Sequence, residues 1–235
     1  MPPIAVLADL PFEVPPFRLS GTVYGVLMNH RAGLAAIGDA AHQPPYKAPP
    51  KGPVLYVKPR NTLVGPGEAI RIDDAAGELE VGAALGIVIG RTACNVGESE
   101  AMDFIAGYTI VADCSIPHES YFRPAIRFKA RDGSCAIGPK VVARADIVDP
   151  DSLGVRVLVD GRLVQQSGTG GTFRSVARLL ADVSEFMTLA PGDLLLAGVA
   201  PGAPRVGAGS AVAIEIDGLG RLETRIAAAA ELAAR

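Results

Sequence analysis

Between Gly21 and Ile226 this chain never runs far without a glycine or proline, and the apolar stretches between those breakers are short and rich in β-branched and aromatic residues. Such runs fold as strands joined by turns, and they leave little room for long helices. "GTVYGVLM" (21–28), "PVLYV" (53–57), "AIRI" (69–72), "LGIVIG" (85–90), "GYTIVAD" (107–113), "GVRVLVDG" (154–161), "DLLLAG" (193–198) and "AVAIEIDGLGRLETRI" (211–226) form the series. In the last, "DGLG" between two alternating runs predicts a hairpin. Two helices are expected, 98–107 with acids in its first turn and 173–188 with apolar residues at helical spacing, the latter opened by Thr172 as N-cap. Residues 29–52 divide into a short helical segment and a proline-rich loop. The sum is a β-dominated α+β domain with a few packing helices over 19–235, preceded by a proline-rich arm over 1–18.

Composition narrows the partners. A hydrophobic fraction of 49% over 235 residues supports a sizeable core, and the formal net charge of −3 comes with scattered basic residues. That distribution carries no footprint for nucleic acid or an anionic membrane, and no apolar run is long enough to span one, so a small molecule or another protein is the expected partner. Cys94, Cys114 and Cys135 are odd in number and show no CxxC spacing, which argues against a disulfide framework or structural zinc. With no basic, long-apolar leader in the first 20 residues, a reducing cytoplasm is the expected setting.

Few residues are marked for chemistry. Glu78 and Glu80 in "GELEVGAALGIVIG" share a strand face and have the minimal spacing for one divalent ion, or they are simply the solvated start of the strand. Asp73 and Asp74 have the context of turn residues. Asp113 ends a strongly apolar strand, where it either serves a site or caps the next short helix. Lys129 and Asp132 in "RFKARDG" stand near the same segment, and the lysine would hold a carboxylate or oxyanion unless it is a surface ion pair. His30, His42 and His118 form no HxH or HxxxH pattern, no serine or cysteine is marked as a nucleophile, and "SGTGGTF" (167–173) lacks the spacing of a phosphate loop.

The order of "LGIVIGRTACNVGESEAMDFIAGYTIVADCS", "KARDGSCAIGP", "LAPGDLLLAG" and "GAGSAVAIEIDGLGRL" resembles the fumarylacetoacetate hydrolase family over about 20–226. "VYGVLMNHRAGL", "QPPYKAPPKGPVLYVKPRNT" and "SYFRPAIRFKARDGSCAIGP" are similar to a branch that isomerises and decarboxylates intermediates of aromatic catabolism. The resemblance implies a rolled mixed β-sheet, a Mg²⁺ or Mn²⁺ ion that chelates an oxo or enol di- or tricarboxylate, and assembly as a homodimer or with a paralogous subunit. Residue by residue, the family's aspartate ligand falls on Asp113, its lysine on Lys129 and the nearby aspartate on Asp132. The two glutamate ligands fall on Gly82 and Ala84, the general-base histidine on Gly33, and the "TGTP" turn becomes "AGVA" at 197–200. Three outcomes stay open: an inherited metal-dependent isomerase/decarboxylase, an accessory subunit beside a metal-bearing paralogue, or metal-independent isomerisation with His118 or Glu119 moving a proton and Lys129 holding a carboxylate.

Overall fold

The computed structural model describes residues 21–73, 77–118 and 126–229. The N-terminal arm, Asp74 and Glu119 lie outside these. In chain order the strands are β1 (Val23–Leu27), β2 (Val54–Lys58), β3 (Leu63–Val64), β4 (Ile70–Ile72), β5 (Leu79–Ile89), β6 (Ile105–Ser115) and β7 (Cys135–Ala143), then β8 (Gly154–Val159), β9 (Arg162–Gly168), β10 (Leu194–Leu196), β11 (Arg205–Val206), β12 (Ala211–Ile216) and β13 (Gly220–Ala228). The helices are α1 (Arg31–Ile37), α2 (Ile126–Lys129) and α3 (Val176–Ser184). None among the described residues is long and apolar enough to cross a membrane.

Two sheets result. The larger runs β2-β1-β10-β5-β6-β7-β3, with β11 also pairing β5, and mixes parallel with antiparallel neighbours. The smaller runs β4-β13-β12-β8-β9 and contains the expected hairpin, β12 against β13 through "DGLG". In a flat sheet β2 and β6 would stand four strand spacings apart, roughly 19 Å. Yet Lys58 at the end of β2 places its Nζ 3.0 Å from Asp113 Oδ1 on β6. A lysine side chain cannot bridge the flat distance, so the larger sheet curls on itself and the inward faces of β2 and β6 meet.

Small residues make that curl possible. Antiparallel register puts Gly82 opposite Asp113, Glu80 opposite Ser115 and Gly25 opposite Tyr56, all on the concave face. A Cβ on Gly25 would collide with the Tyr56 ring, which therefore lies flat across the glycine. The rest of β5 and β6 is almost entirely buried and mostly Val, Ile, Leu and Ala, giving a continuous core rather than an in–out alternation.

Three expectations need correction. Residues 98–107 make only one 3₁₀ turn, Ala101–Phe104. The Phe104 carbonyl that a helix would use is instead taken by the Gly90 and Arg91 amides at 2.8 and 3.3 Å, and the chain turns directly into β6. α3 is shorter than its apolar stripe, because Ser175, not Thr172, caps it by accepting from the Arg178 amide at 3.1 Å. Phe173 and Phe186, counted in the stripe, are 50% and 61% exposed. Finally β7 and β9 are strands that lacked a clear sequence signal, β7 because Gly138 and Pro139 interrupt it and β9 because it is a polar edge.

Candidate functional site

The concave face of the larger sheet opens into a small cleft of about 130 Å³. Asp113 and Tyr56 form part of its floor, Lys129, His118 and His30 part of its walls, and Glu80 stands among its lining residues.

Asp113 is buried, and its carboxylate is shared among three groups. Oδ1 faces Lys58 Nζ at 3.0 Å, and Oδ2 accepts from Lys129 Nζ at 3.1 Å and from the Tyr56 hydroxyl. Burial by itself would raise this carboxyl; the charges of Lys129 and Lys58 and the hydrogen bonds of Tyr56 and Lys58 outweigh it and hold Asp113 far below the usual carboxylate range. Burial would lower Lys58, but the Asp113 charge holds it above the ordinary lysine value. Tyr56 is pushed well above the usual phenol range by burial and by the neighbouring carboxylate, so its hydroxyl keeps its proton.

The two lysines differ in one respect that matters. Lys58 is sealed: its ammonium donates to the carbonyls of Cys114 at 2.7 Å and Lys129 at 2.6 Å, and stands 3.2 Å from Ser134 Oγ. Lys129 ends α2, lines the cleft, has Asp113 as its one polar side-chain partner among the described residues, and lies 4.4 Å from the centre of the Tyr56 ring. Its backbone carbonyl, gripped by Lys58, fixes where the side chain begins.

His118 and His30 flank this cluster. His118 Nδ1 lies 2.9 Å from the Ile116 carbonyl, which can only accept, so Nδ1 carries the proton and Nε2 is the basic nitrogen. Its ring stacks on Phe128, centroids 5.2 Å apart. His30 is lodged against Gly171, where a Cβ would overlap its ring, and the neighbouring Asn29 pins the segment by donating to the Ala197 carbonyl at 2.8 Å and accepting from the Arg174 amide at 3.1 Å. Burial lowers the His30 pKa. A side chain built on Gly33 would meet His30 Cβ at 4.0 Å, so His30 stands beside the position of the family's base.

The expected residues are thus partly assembled. Asp113, Lys129 and His118 meet in the cleft. Asp132 does not line it; it is exposed and accepts from Asn61. Glu78 is exposed, whereas Glu80, read as a solvated strand start, is half-buried at the cleft with Arg205 Nε 3.8 Å away. Sequence reasoning passed over Tyr56, Lys58 and His30. The signal for the first two was "VLYVK", which places a phenol and an ammonium at i and i+2 on a strand too apolar to be a surface.

A divalent ion does not fit these residues. A Cβ on Gly82 would lie 2.8 Å from a Val199 methyl and 2.8 Å from the Asp113 carbonyl, so an isopropyl group stands where a ligand at 82 would extend. Ala84 is buried and offers no oxygen. Asp113 has both oxygens engaged by cations. No three of His, Cys, Asp and Glu among the described residues are grouped to hold a metal, and the Cys114 and Cys135 thiols are pushed up to about 12 by burial.

The fumarylacetoacetate (FAA) hydrolase C-terminal family model matches residues 22–227. This chain belongs to the fumarylacetoacetate hydrolase family. A 4-hydroxyphenylacetate degradation bifunctional isomerase/decarboxylase of Escherichia coli is 39% identical over 217 residues, covering 92% of this chain and 49% of that protein. The chain therefore spans about half the length of this curated relative. Among solved structures, a 5-carboxymethyl-2-hydroxymuconate delta-isomerase from Mycobacterium smegmatis shares 31% identity at a TM-score of 0.74, over 88% of this chain and 76% of that one. A fumarylpyruvate hydrolase from Pseudomonas aeruginosa in complex with Mn²⁺ and pyruvate shares 26% at 0.76, over 88% and 89%. Solved structures similar to this chain thus include a Mn²⁺ complex.

Proposed function

We propose that this family member is an isomerase/decarboxylase-type subunit of aromatic meta-cleavage catabolism whose cleft takes an unsaturated 2-hydroxy or 2-oxo dicarboxylate and moves a proton on it without a metal in this chain. The observation that carries the reading is the engagement of Asp113 by Lys58 and Lys129. Where the family resemblance implies a divalent cation beside its lysine, this cleft keeps the lysine, at the end of a buried cluster of two ammoniums and one carboxylate. Positive charge at that place stabilises the enolate that both tautomerisation and decarboxylation generate. His118, fixed by Ile116, supplies Nε2 as the base or acid, and His30 is a second imidazole on the wall. The family resemblance points to 2-hydroxyhepta-2,4-diene-1,7-dioate for isomerisation, a substrate that a Mycobacterium marinum relative's name also carries, and to 5-oxopent-3-ene-1,2,5-tricarboxylate for decarboxylation.

A second reading, an accessory subunit beside a metal-bearing paralogue, is favoured by one observation: the bifunctional relatives have about as much chain again beyond the matched region. Loss of the diene absorbance, followed with the purified chain with and without EDTA, separates the two. Turnover insensitive to EDTA supports the first reading. Turnover that appears only when a paralogous subunit and Mg²⁺ are added supports the second, and turnover by the chain alone that requires added metal contradicts both.

A further inference from the structure

We propose that Lys129 is an imine-forming lysine that captures the carbonyl carbon of a 2-oxo acid, so that an iminium takes over the electron-accepting role a metal plays in the relatives. This deepens the proposed function and rests on it. Two buried amines flank Asp113, and the structure distinguishes which of them can reach a substrate. Lys58 is fully buried: its three N–H groups donate to two carbonyls and the Ser134 hydroxyl, with Asp113 Oδ1 3.0 Å away as counter-charge, so it is held away from any substrate. Lys129 has a single carboxylate partner and the Tyr56 ring beside it, and its side chain reaches the cleft. An amine next to a second, permanently charged ammonium is a recognised arrangement for a nucleophilic lysine.

The chemistry balances within the cleft. Lys129 gives one ammonium proton to His118 Nε2 or to solvent, and the lone pair so freed adds to the 2-oxo carbon as the carbonyl π pair moves to oxygen, which takes one proton from the attacking nitrogen. A second proton, from protonated His118 or from solvent, lets that oxygen leave as water, and the nitrogen keeps its last hydrogen as the iminium. Loss of CO₂ or of a carbon-bound proton then sends an electron pair along the conjugated chain to the iminium nitrogen, giving an enamine. Protonation at carbon restores the iminium, and water hydrolyses it to product and free Lys129. No oxidant, reductant or metal is needed.

The test is reductive trapping with pyruvate as the probe. The full chain is incubated with pyruvate and sodium cyanoborohydride, and every lysine is mapped by peptide mass spectrometry. Besides Lys129 and Lys58 the chain has only Lys47, Lys51 and Lys140, all exposed. The expected result is one reductively aminated site, at Lys129, dependent on reductant and lost in Lys129→Arg, which keeps the charge but cannot form the imine. Adducts confined to the exposed lysines, an adduct at Lys58, or no adduct while saturation-transfer NMR shows pyruvate bound would overturn the imine and leave the metal-free cleft standing. Absence of both adduct and binding overturns the imine together with the function on which it rests.

Discussion

Asp113 is the residue on which the site turns, because its carboxylate is the one negative charge between two buried amines. Removing it leaves both without a counter-charge, and Asp113→Asn is expected to destabilise the fold by about 3–5 kcal/mol, measured by urea denaturation. Lys58→Met in the same chain should recover part of that loss, since it removes the sealed ammonium with its need for a partner. The same carboxylate sets a pH response. Its folded pKa lies below its unfolded value of about 3.9, so its contribution is complete above that pH and is lost as pH falls towards the folded value. The urea midpoint is therefore expected to drop more steeply below about pH 4 in the wild type than in Asp113→Asn, and parallel acid limbs would show that Asp113 is not held by the lysines.

At the scale of elements, β5 carries the family's frame with the chemistry removed. Gly82 lies opposite Asp113 as the resemblance requires, but Val199 from the "AGVA" turn covers it. Gly82→Ala should cost about 1–3 kcal/mol through overpacking, and Val199→Ala should relieve much of that in the double variant, a coupling that thermal or urea unfolding will show. For α3, Ser175→Ala removes the N-cap and is expected to cost about 1 kcal/mol, whereas Thr172→Ala should cost less because Thr172 does not cap. These elements also show what a sequence can disclose. The strands of the concave face were legible because buried β-structure writes itself as apolar runs between breakers, and Asp113 and Lys129 were legible because their segments match family motifs. Tyr56, Lys58 and His30 were not, since what makes them functional is the curl that brings β2 round to β6 and His30 up against Gly171. Curl depends on Gly25 and Gly82 facing large side chains from distant segments, a relation that no local pattern expresses.

Across the molecule, the larger sheet curls so that two buried amines, from β2 and α2, meet at Asp113, the position where the resemblance implies a metal ligand. In the proposed reading those fixed charges stand in for a diffusible one that chelators can remove. The bifunctional relative from Escherichia coli has about as much chain again beyond the matched region. The most direct measurement is a Mn²⁺ titration of the purified chain followed by the EPR signal of free ion. The account predicts that the signal rises with added Mn²⁺ as in buffer, with no difference between wild type and Asp113→Asn. One tight site per chain, abolished by Asp113→Asn, would contradict it.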